Sequence, residues 1–313
     1  MTVEDLAQAT LGWVGAGRMG SAMAGRLLEA GRELTIFNRT RSKLEPLVAM
    51  GAREAHGIAE LAAKDIVFVN VSSSDDLLGV TLGPDGLLGQ EVAPSIIVDS
   101  STVSAEASAE VRARGEDRGC ALLAAPVSGN PKVAATGRLT MAVSGPRSSF
   151  DLVAPLFDEI GAGATWVGEG ELARLVKLCH NLFLGAVTQS LVEVTILAEK
   201  GGVSRAAFLE YLNNSVMGST FTRYKSPALV NLDYHATFTS SLLRKDFDLG
   251  LAAAHDLEVP MPVASLVAQI VATLVDEGYA DEDFAALIAL QARAAGIAIE
   301  SENADVSDGL GVI

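Results

Sequence analysis

The chain has 313 residues, of which 49% are hydrophobic and 20% are charged, a composition typical of a folded protein and unlike that of a disordered chain. Its 39 acidic and 23 basic side chains give a formal charge of −16, which disfavours nucleic acids and anionic membranes as partners because both attract clustered positive charge. At roughly 150 residues per domain, the length predicts two domains.

The sequence also indicates the cellular compartment. Residues 1–5 lack the basic and apolar regions of a signal peptide, and the longest apolar stretch, 172–197, is interrupted by a lysine, an asparagine and a glutamate. The two cysteines, Cys120 and Cys179, cannot form a disulfide framework, and nothing marks them as metal ligands. We therefore expect a cytoplasmic protein without a membrane span or a metal site.

The first half of the chain alternates short apolar stretches with amphipathic ones. Strands are predicted at 10–14, 34–37, 66–69, 96–98, 121–125, 139–143 and 164–167. Helices are predicted at 21–30, 104–114 and 148–160. Apolar, often β-branched strands that alternate with helices predict an α/β fold with a doubly wound parallel sheet, because such strands are buried on both faces.

The pattern changes after residue 168. Apolar residues recur at helical spacing from 172 to about 200 and occupy several sides of the helix, so we expect this long helix to be buried between domains or subunits. No strand is predicted from 171 to the early 290s. The sequence therefore predicts an N-terminal sheet domain (1–168), an all-helical domain (169–298) and a short, acidic, flexible tail (299–313).

A glycine motif follows the first strand and begins the first helix, and it consists of Gly15, Gly17, Arg18, Met19 and Gly20 around one alanine. Gly15 allows a tight turn, Gly17 lets the backbone approach a pyrophosphate, and Gly20 permits close packing of the helix on the strand. The helix N-terminus then presents N–H groups and a positive dipole end to the phosphates. In this strand–turn–helix context, the motif predicts dinucleotide binding.

The end of the second strand indicates which dinucleotide binds. Sites for NAD usually carry Asp or Glu about 20 residues after the glycine motif, to bind the ribose hydroxyls. This chain has Asn38, Arg39 and Thr40 instead. Arg39 can pair with a 2′-phosphate, and Asn38 and Thr40 can donate hydrogen bonds to it. We therefore expect NADP as the cofactor, with NAD as a possible substitute; the alternative is a solvated basic turn.

Four further motifs occur in order along the chain. They are Asp99-Ser100-Ser101-Thr102, Ala125-Pro126-Val127-Ser128-Gly129, Gly168-Glu169-Gly170 followed by Lys177 and Asn181, and Lys245-Asp246. Together with the glycine motif they resemble the β-hydroxyacid dehydrogenase family over nearly the whole chain. The resemblance implies an N-terminal Rossmann domain and a helical substrate and oligomerisation domain.

The resemblance also implies roles for individual residues. Lys177 corresponds to the family's catalytic lysine, with Asn181 one helical turn further along. Ser128 and Gly129 correspond to the loop that grips the substrate carboxylate. The residues expected to contact the cofactor, in addition to the glycine motif and the basic turn, are Ser72, Ser73, Thr102 and Lys245. The residues expected to contact the substrate, in addition to the carboxylate loop, are Asn130, Phe238 and Asp246.

The chemistry of Lys177 and Asn181 agrees with those roles. Four residues apart on a helix, they share a face and can polarise a carbonyl oxygen for hydride attack. The alternative is a surface lysine and a buried amide whose hydrogen bonds are satisfied. His180 lies between them, where relatives often carry Asn, and we expect it to supply a hydrogen bond rather than the proton.

The carboxylate loop departs from the family pattern. The family usually has an Asp and a final Gly where this chain has Ala124 and Asn130. Asn130 keeps its N–H group but is expected to add a side chain to the wall of the substrate pocket.

The sequence thus predicts an NADP-preferring oxidoreductase, with Lys177 as general acid and base. It would interconvert a small carboxylate-bearing carbonyl compound, a semialdehyde or an oxo acid, with its hydroxy acid. We expect a homodimer or homotetramer. One alternative is an imine reductase of the same fold, against which Lys177 argues because those enzymes commonly carry a different residue there. A second alternative is a non-catalytic NADP-binding module.

Overall fold

The computed structural model describes residue 6 and residues 8–311. Residues 1–5, to which the signal-peptide prediction refers, and the last two residues of the predicted tail lie outside this range. The chain forms two compact units, which divide between Lys177 and Leu178.

Within the described residues, the first unit is built on a nine-stranded sheet. Its strands are β1 (Leu11–Val14), β2 (Leu34–Phe37), β3 (Arg53–Glu54), β4 (Ile66–Val69), β5 (Ile96–Asp99), β6 (Ala121–Ala124), β7 (Val127–Ser128), β8 (Thr140–Ser144) and β9 (Ala164–Gly168). The order is β3-β2-β1-β4-β5-β6-β8-β7, with β9 paired to β8. Neighbours from β3 to β6 are parallel, whereas β8 runs antiparallel to β6 and β7. The predicted α/β fold with a mainly parallel sheet is confirmed.

The helices of this unit begin where strands end. They are α1 (Arg18–Glu29), α2 (Glu45–Ala49), α3 (Ser74–Leu82), α4 (Ala105–Glu116), α5 (Pro131–Ala135) and α6 (Arg147–Ile160). Strands β1, β4 and β5 are buried along their whole length, as a sheet covered on both faces requires. Because β1, β2, β4 and β5 are parallel neighbours, their carboxyl ends lie at one edge of the sheet, where ligands of such folds bind.

The second unit is helical, as predicted. A long helix, α7 (Leu172–Lys200), begins in the first unit and continues into the second. The helices that follow are α8 (Arg205–Asn214), α9 (Thr220–Asn231), α10 (Ser240–Asp256), α11 (Pro262–Leu274) and α12 (Leu287–Ala294). In the part of this unit that the structure describes, the β pairing is a single isolated bridge between Thr239 and Asp283.

Helix α7 is long and apolar enough to cross a membrane, judged by length and composition alone. Helices in the cores of proteins pass the same test, and half of its most apolar window is buried in this structure. Its side chains that contribute to the core of the second unit include Leu182, Leu191, Val192 and Ile196.

The unit boundary differs from the predicted domain boundary at 168/169. The first turns of α7 remain attached to the sheet unit because Ser144 Oγ accepts a hydrogen bond from Ala173 N (3.0 Å) and Glu171 pairs with Arg112 (2.8 Å). The change of sequence pattern marks where the long helix begins, whereas these contacts carry the first unit some nine residues further along it.

Part of the predicted tail makes hydrogen bonds to the helical unit. Glu302 accepts hydrogen bonds from the backbone N–H groups of Arg205 (2.7 Å) and Ala206 (3.0 Å), at the N-terminus of α8. Asn231 exchanges two hydrogen bonds with the backbone of Ala304. Arg205 is fully buried, and its guanidinium donates to the carbonyl oxygens of Val230 and Glu300. These contacts connect residues 300–304 to the helical unit, although the polar composition of this segment predicts flexibility.

Candidate functional site

The glycine motif forms a tight turn between β1 and α1. Gly15 has a φ of +99°, and a Cβ atom there would lie 2.1 Å from the carbonyl oxygen of Asn70. A Cβ on Gly20 would lie 2.2 Å from the carbonyl oxygen of Gly15. At Gly17, the N-cap of α1, no described atom lies within 4 Å of the Cβ position. The turn therefore requires glycine at two positions and leaves space at the helix N-terminus, which fits a pyrophosphate.

Asn38 connects this turn to the predicted phosphate-binding segment. Its Oδ1 accepts a hydrogen bond from Ala16 N (2.9 Å), and its Nδ2 donates to the carbonyl oxygen of Thr40 (2.7 Å). Both ends of the amide are therefore held by backbone. Asn38 shapes the glycine turn as well as the basic turn, a role that the sequence did not suggest.

Arg39 extends from the same turn, and 90% of its side chain is exposed. Its Nη1 lies 3.4 Å from Oδ1 of Asp76 in the first turn of α3, a long contact. Ser73 is the N-cap of α3, where its Oγ accepts a hydrogen bond from Asp76 N (3.1 Å) and donates to Asp76 Oδ2 (3.0 Å). Ser72, which precedes it, is exposed. Arg39 and these serines thus lie beside the ends of β2 and β4, at the edge of the sheet that carries the glycine turn.

The segment from Asp99 to Thr102 continues this edge after β5. Asp99 is fully buried, and its Oδ1 accepts a hydrogen bond from Ser101 N (3.0 Å). Ser101 Oγ accepts one from Val71 N (2.9 Å). On its other carboxylate oxygen Asp99 contacts the guanidinium of Arg174, which is also buried. Thr102 is the half-buried residue that follows this rigid turn. Arg174 was not predicted, although an arginine in an apolar helix calls for a buried acceptor.

Lys177 and the predicted carboxylate loop lie together in the first unit. Lys177 Nζ donates a hydrogen bond to the carbonyl oxygen of Val127 (2.8 Å), the residue that precedes Ser128. Gly129 has a φ of +132°, and a Cβ there would lie 2.6 Å from Leu139 Cδ2, so the loop requires glycine at this position. The ammonium group therefore lies beside the backbone that leads into Ser128 and Gly129.

The structure gives Asn130 a capping role that the sequence analysis did not predict. Its side chain is only 6% exposed, and its Oδ1 accepts a hydrogen bond from Val133 N (3.0 Å) as the N-cap of α5. Asn is a preferred N-cap residue, and Pro131 occupies the first helical position, where proline is favoured. Asn130 therefore stabilises the start of a short helix, and its contact with a substrate stays a prediction.

In the second unit, four of the predicted residues form a polar cluster. Asn181 Nδ2 donates a hydrogen bond to Asp246 Oδ2 (2.5 Å), and His180 Nδ1 lies 2.9 Å from Asn181 Oδ1. Lys245 Nζ lies 3.7 Å from Asp246 Oδ1. The amide is thus oriented by an acid on one side and an imidazole on the other, and His180 supplies the hydrogen bond that the sequence suggested.

Phe238 belongs to a different group in the same unit. Its ring packs edge-on against Phe284 (5.9 Å between centroids), and its backbone N–H donates to Asp283 Oδ2 (3.3 Å). Asp283 also pairs with Lys225 (2.7 Å), and both side chains are 2% exposed. Burial acts to raise the pKa of Asp283, but the charge of Lys225 and the hydrogen bonds to the carboxylate hold that pKa below its usual value. Phe238 is therefore part of an ion-paired core.

Two family models match the chain. The NAD binding domain of 6-phosphogluconate dehydrogenase matches residues 10–168. The model described as the NAD-binding domain of NADP-dependent 3-hydroxyisobutyrate dehydrogenase matches residues 171–291. The two matches meet at the start of the long helix and together span nearly the whole chain.

Individual relatives agree with these matches. The chain is 30% identical to glyoxylate/succinic semialdehyde reductase 2 of Arabidopsis thaliana, over 92% of this chain and 80% of that protein. It is 29% identical to an NAD-dependent L-serine dehydrogenase of Pseudomonas aeruginosa, over 88% and 95%. Its fold is similar to that of 3-hydroxyisobutyrate dehydrogenase from Salmonella typhimurium, with a TM-score of 0.80 and 25% identity over 90% and 99% of the two chains.

Proposed function

Because the chain belongs to the β-hydroxyacid dehydrogenase family of NAD(P)-dependent oxidoreductases, we propose that it interconverts a small carboxylate-bearing semialdehyde or oxo acid with its hydroxy acid and prefers NADP(H) to NAD(H). The observation that carries this proposal is the hydrogen bond between Lys177 Nζ and the carbonyl oxygen of Val127 (2.8 Å). It supports a site in which a proton donor lies beside the loop suited to a carboxylate.

The roles of the residues follow from their chemistry. A bound NADPH would supply the hydride to the carbonyl carbon. Lys177 donates a proton from Nζ to the oxygen on which negative charge develops, and in the oxidative direction the neutral amine takes that proton back. Ser128 Oγ and the Gly129 N–H bind the carboxylate, because a hydroxyl and a backbone amide can converge on an anion. Asn181, one turn along α7 from Lys177, orients the lysine or the substrate oxygen.

A substrate panel tests the proposed activity. Purified enzyme is assayed with semialdehydes, oxo acids, hydroxy acids and cyclic imines, each with NADP(H) and NAD(H). We expect turnover of a carboxylate-bearing carbonyl compound and no turnover of imines. Reduction of imines alone would indicate an imine reductase, and NADPH binding without any turnover would indicate a non-catalytic module.

The cofactor preference depends on Arg39. Replacing it by alanine removes a charged hydrogen bond to the 2′-phosphate, which is worth about 1.5–3 kcal/mol. We expect kcat/KM for the NADP(H) reaction to fall by about 10- to 150-fold in Arg39→Ala and to change little for NAD(H). Arg41→Ala is the matched control, since Arg41 lies in the same basic segment but pairs with Glu54 (2.6 Å). Equal losses with both cofactors would exclude Arg39 as the phosphate ligand.

We also propose that the protein is at least a dimer, joined through the helical units. Apolar side chains of α7 remain exposed in a single chain, notably Phe183 (71%) and Leu197 (72%). Covering such side chains is favourable, at about 25 cal/mol per Å² of apolar surface. We expect light scattering to give a mass of at least twice the 32.5 kDa of one chain. A mass near 32.5 kDa at all concentrations would contradict the proposal.

A further inference from the structure

We propose that Arg174 is a positioning residue for the reaction, which sets Lys177 relative to the turn that carries Thr102. The inference rests on the proposed function, since it assigns Lys177 to proton transfer and Thr102 to the nicotinamide side of the cofactor. Arg174 itself is buried and touches neither reactant.

The contacts of Arg174 connect two parts of the first unit whose relative position matters for the proposed reaction. Its guanidinium contacts Asp99 Oδ2, and its Nη1 donates to the carbonyl oxygen of Ser101 (2.6 Å). Its Nη2 also donates to Ser108 Oγ in α4 (3.2 Å). Asp99 and Ser101 belong to the turn that leads directly to Thr102. One side chain in α7 therefore holds the end of β5 and the start of α4 at once.

The position of Arg174 in the helix gives these contacts a catalytic consequence. Arg174 lies three residues before Lys177, so both belong to the same turn of α7. Lys177 in turn reaches the carbonyl oxygen of Val127 (2.8 Å), next to the carboxylate loop. A shift of α7 against the end of β5 would therefore move the ammonium group relative to Thr102. Misplacement of a catalytic group by about 1 Å can lower a rate by about 100-fold.

Other contacts hold the start of α7, but they do not reach the Thr102 turn. Arg112 donates to Glu171 (2.8 Å) and to the carbonyl oxygen of Gly170 (2.7 Å), and Ser144 Oγ accepts from Ala173 N (3.0 Å). These bonds fix the helix start to α4 and β8. These bonds are expected to maintain the fold when Arg174 is replaced. The position of Lys177 relative to Thr102 is then expected to become less fixed.

The test compares Arg174→Lys with wild-type enzyme on the best substrate found. Lysine keeps the charge beside Asp99 but lacks the planar fork that reaches Ser101 and Ser108 together. We expect kcat to fall by about 10- to 100-fold, while the NADPH dissociation constant changes by less than about threefold. The decisive readout is the primary isotope effect on kcat with NADPH deuterated at the transferred position. It should rise, because poor alignment slows the hydride step itself.

Arg205→Lys is the matched control for loss of a buried arginine. Arg205 is fully buried, pairs with Glu199 (2.6 Å) and donates to the carbonyl oxygen of Val230 (2.7 Å) in the helical unit. We expect it to lower the melting temperature to a similar extent but to leave the isotope effect unchanged. An Arg174→Lys enzyme that behaves like this control, with an unchanged isotope effect, would reduce Arg174 to a structural role and overturn the proposal.

A milder variant keeps the test decisive if Arg174→Lys does not fold. Ser108→Ala removes one acceptor of the Arg174 guanidinium and leaves its pairing with Asp99 intact. We expect kcat to fall by about two- to fivefold with a raised isotope effect, and an unchanged isotope effect would overturn the proposal. Wild-type turnover is measured first, so that failure of the proposed activity appears as loss of wild-type reduction and is separate from failure of the positioning role.

Discussion

Replacing Lys177 by alanine is expected to lower kcat by about 10²- to 10⁴-fold, the usual contribution of a general acid–base group. The substrate oxygen would then have to take its proton from water at the moment the hydride arrives. NADPH affinity should stay nearly unchanged, because the lysine donates its hydrogen bond to Val127 O (2.8 Å), beside the loop proposed to bind the substrate carboxylate. Steady-state kinetics combined with NADPH titration measure both quantities.

Two further variants make this result specific. Lys177→Arg should not restore activity, because a guanidinium does not release its proton near neutral pH. Lys200→Ala, at the other end of α7, is the control and should retain kcat within about twofold, since its Nζ donates to the carbonyl oxygen of Ala295. If Lys177→Ala kept more than about a tenth of the wild-type kcat, the assignment would be wrong and His180 would be tested next.

Replacing Lys225 by methionine is expected to cost about 3–5 kcal/mol of unfolding free energy, because it leaves the Asp283 carboxylate buried and unpaired. The wild-type carboxylate accepts hydrogen bonds from Lys225 Nζ (2.7 Å) and from Thr237 and Ala285. Urea unfolding measures the change. The matched control is Arg244→Met, which breaks an exposed pair with Asp276 (3.1 Å) in the same unit and should cost less than about 1 kcal/mol.

The same pair predicts how stability depends on pH. The pKa of Asp283 is lower in the folded protein than in the unfolded chain, so its ionised form stabilises the fold at a pH above the unfolded pKa of about 3.9. That stabilisation is lost as the pH falls through the folded pKa. The gap in unfolding free energy between wild type and Asp283→Asn should therefore narrow as the pH falls below about 4. A gap that persists unchanged to pH 3 would contradict this.

Much of the fold could be predicted from local sequence, because buried parallel strands and long helices impose simple patterns. Strands β2 and β4 occur at the predicted residues, and α7 spans the predicted range. The two shortest strands, β3 (Arg53–Glu54) and β7 (Val127–Ser128), were not predicted. A strand of two residues is too short to show an alternating pattern of apolar and polar residues. β3 and β7 form strands because each pairs with a neighbouring strand.

Predictions for individual side chains were limited by partners that lie far away in sequence. The pairing of Arg174 with Asp99 joins residues 75 positions apart, and no local pattern indicates it. Asn130 was different, since an asparagine before a proline is a visible helix start. Its capping role was not predicted, because the comparison with the family loop considered only the substrate pocket. The contacts of the tail with Asn231 and Arg205 could not be predicted either, because its polar composition does not indicate backbone hydrogen bonds to distant residues.

The attachment of the tail has a consequence for the order in which the protein is made. Glu300, whose carbonyl oxygen accepts from the buried Arg205 guanidinium, follows that arginine by 95 residues. At roughly 5–20 residues per second, the ribosome needs about 5–20 s to synthesise this stretch. Until then, the Arg205 guanidinium lacks the carbonyl oxygen of Glu300 as an acceptor. The backbone N–H groups of Arg205 and Ala206, at the start of α8, likewise lack the carboxylate of Glu302. The helical unit therefore completes its folding late, whereas the sheet unit can fold as soon as its own residues emerge.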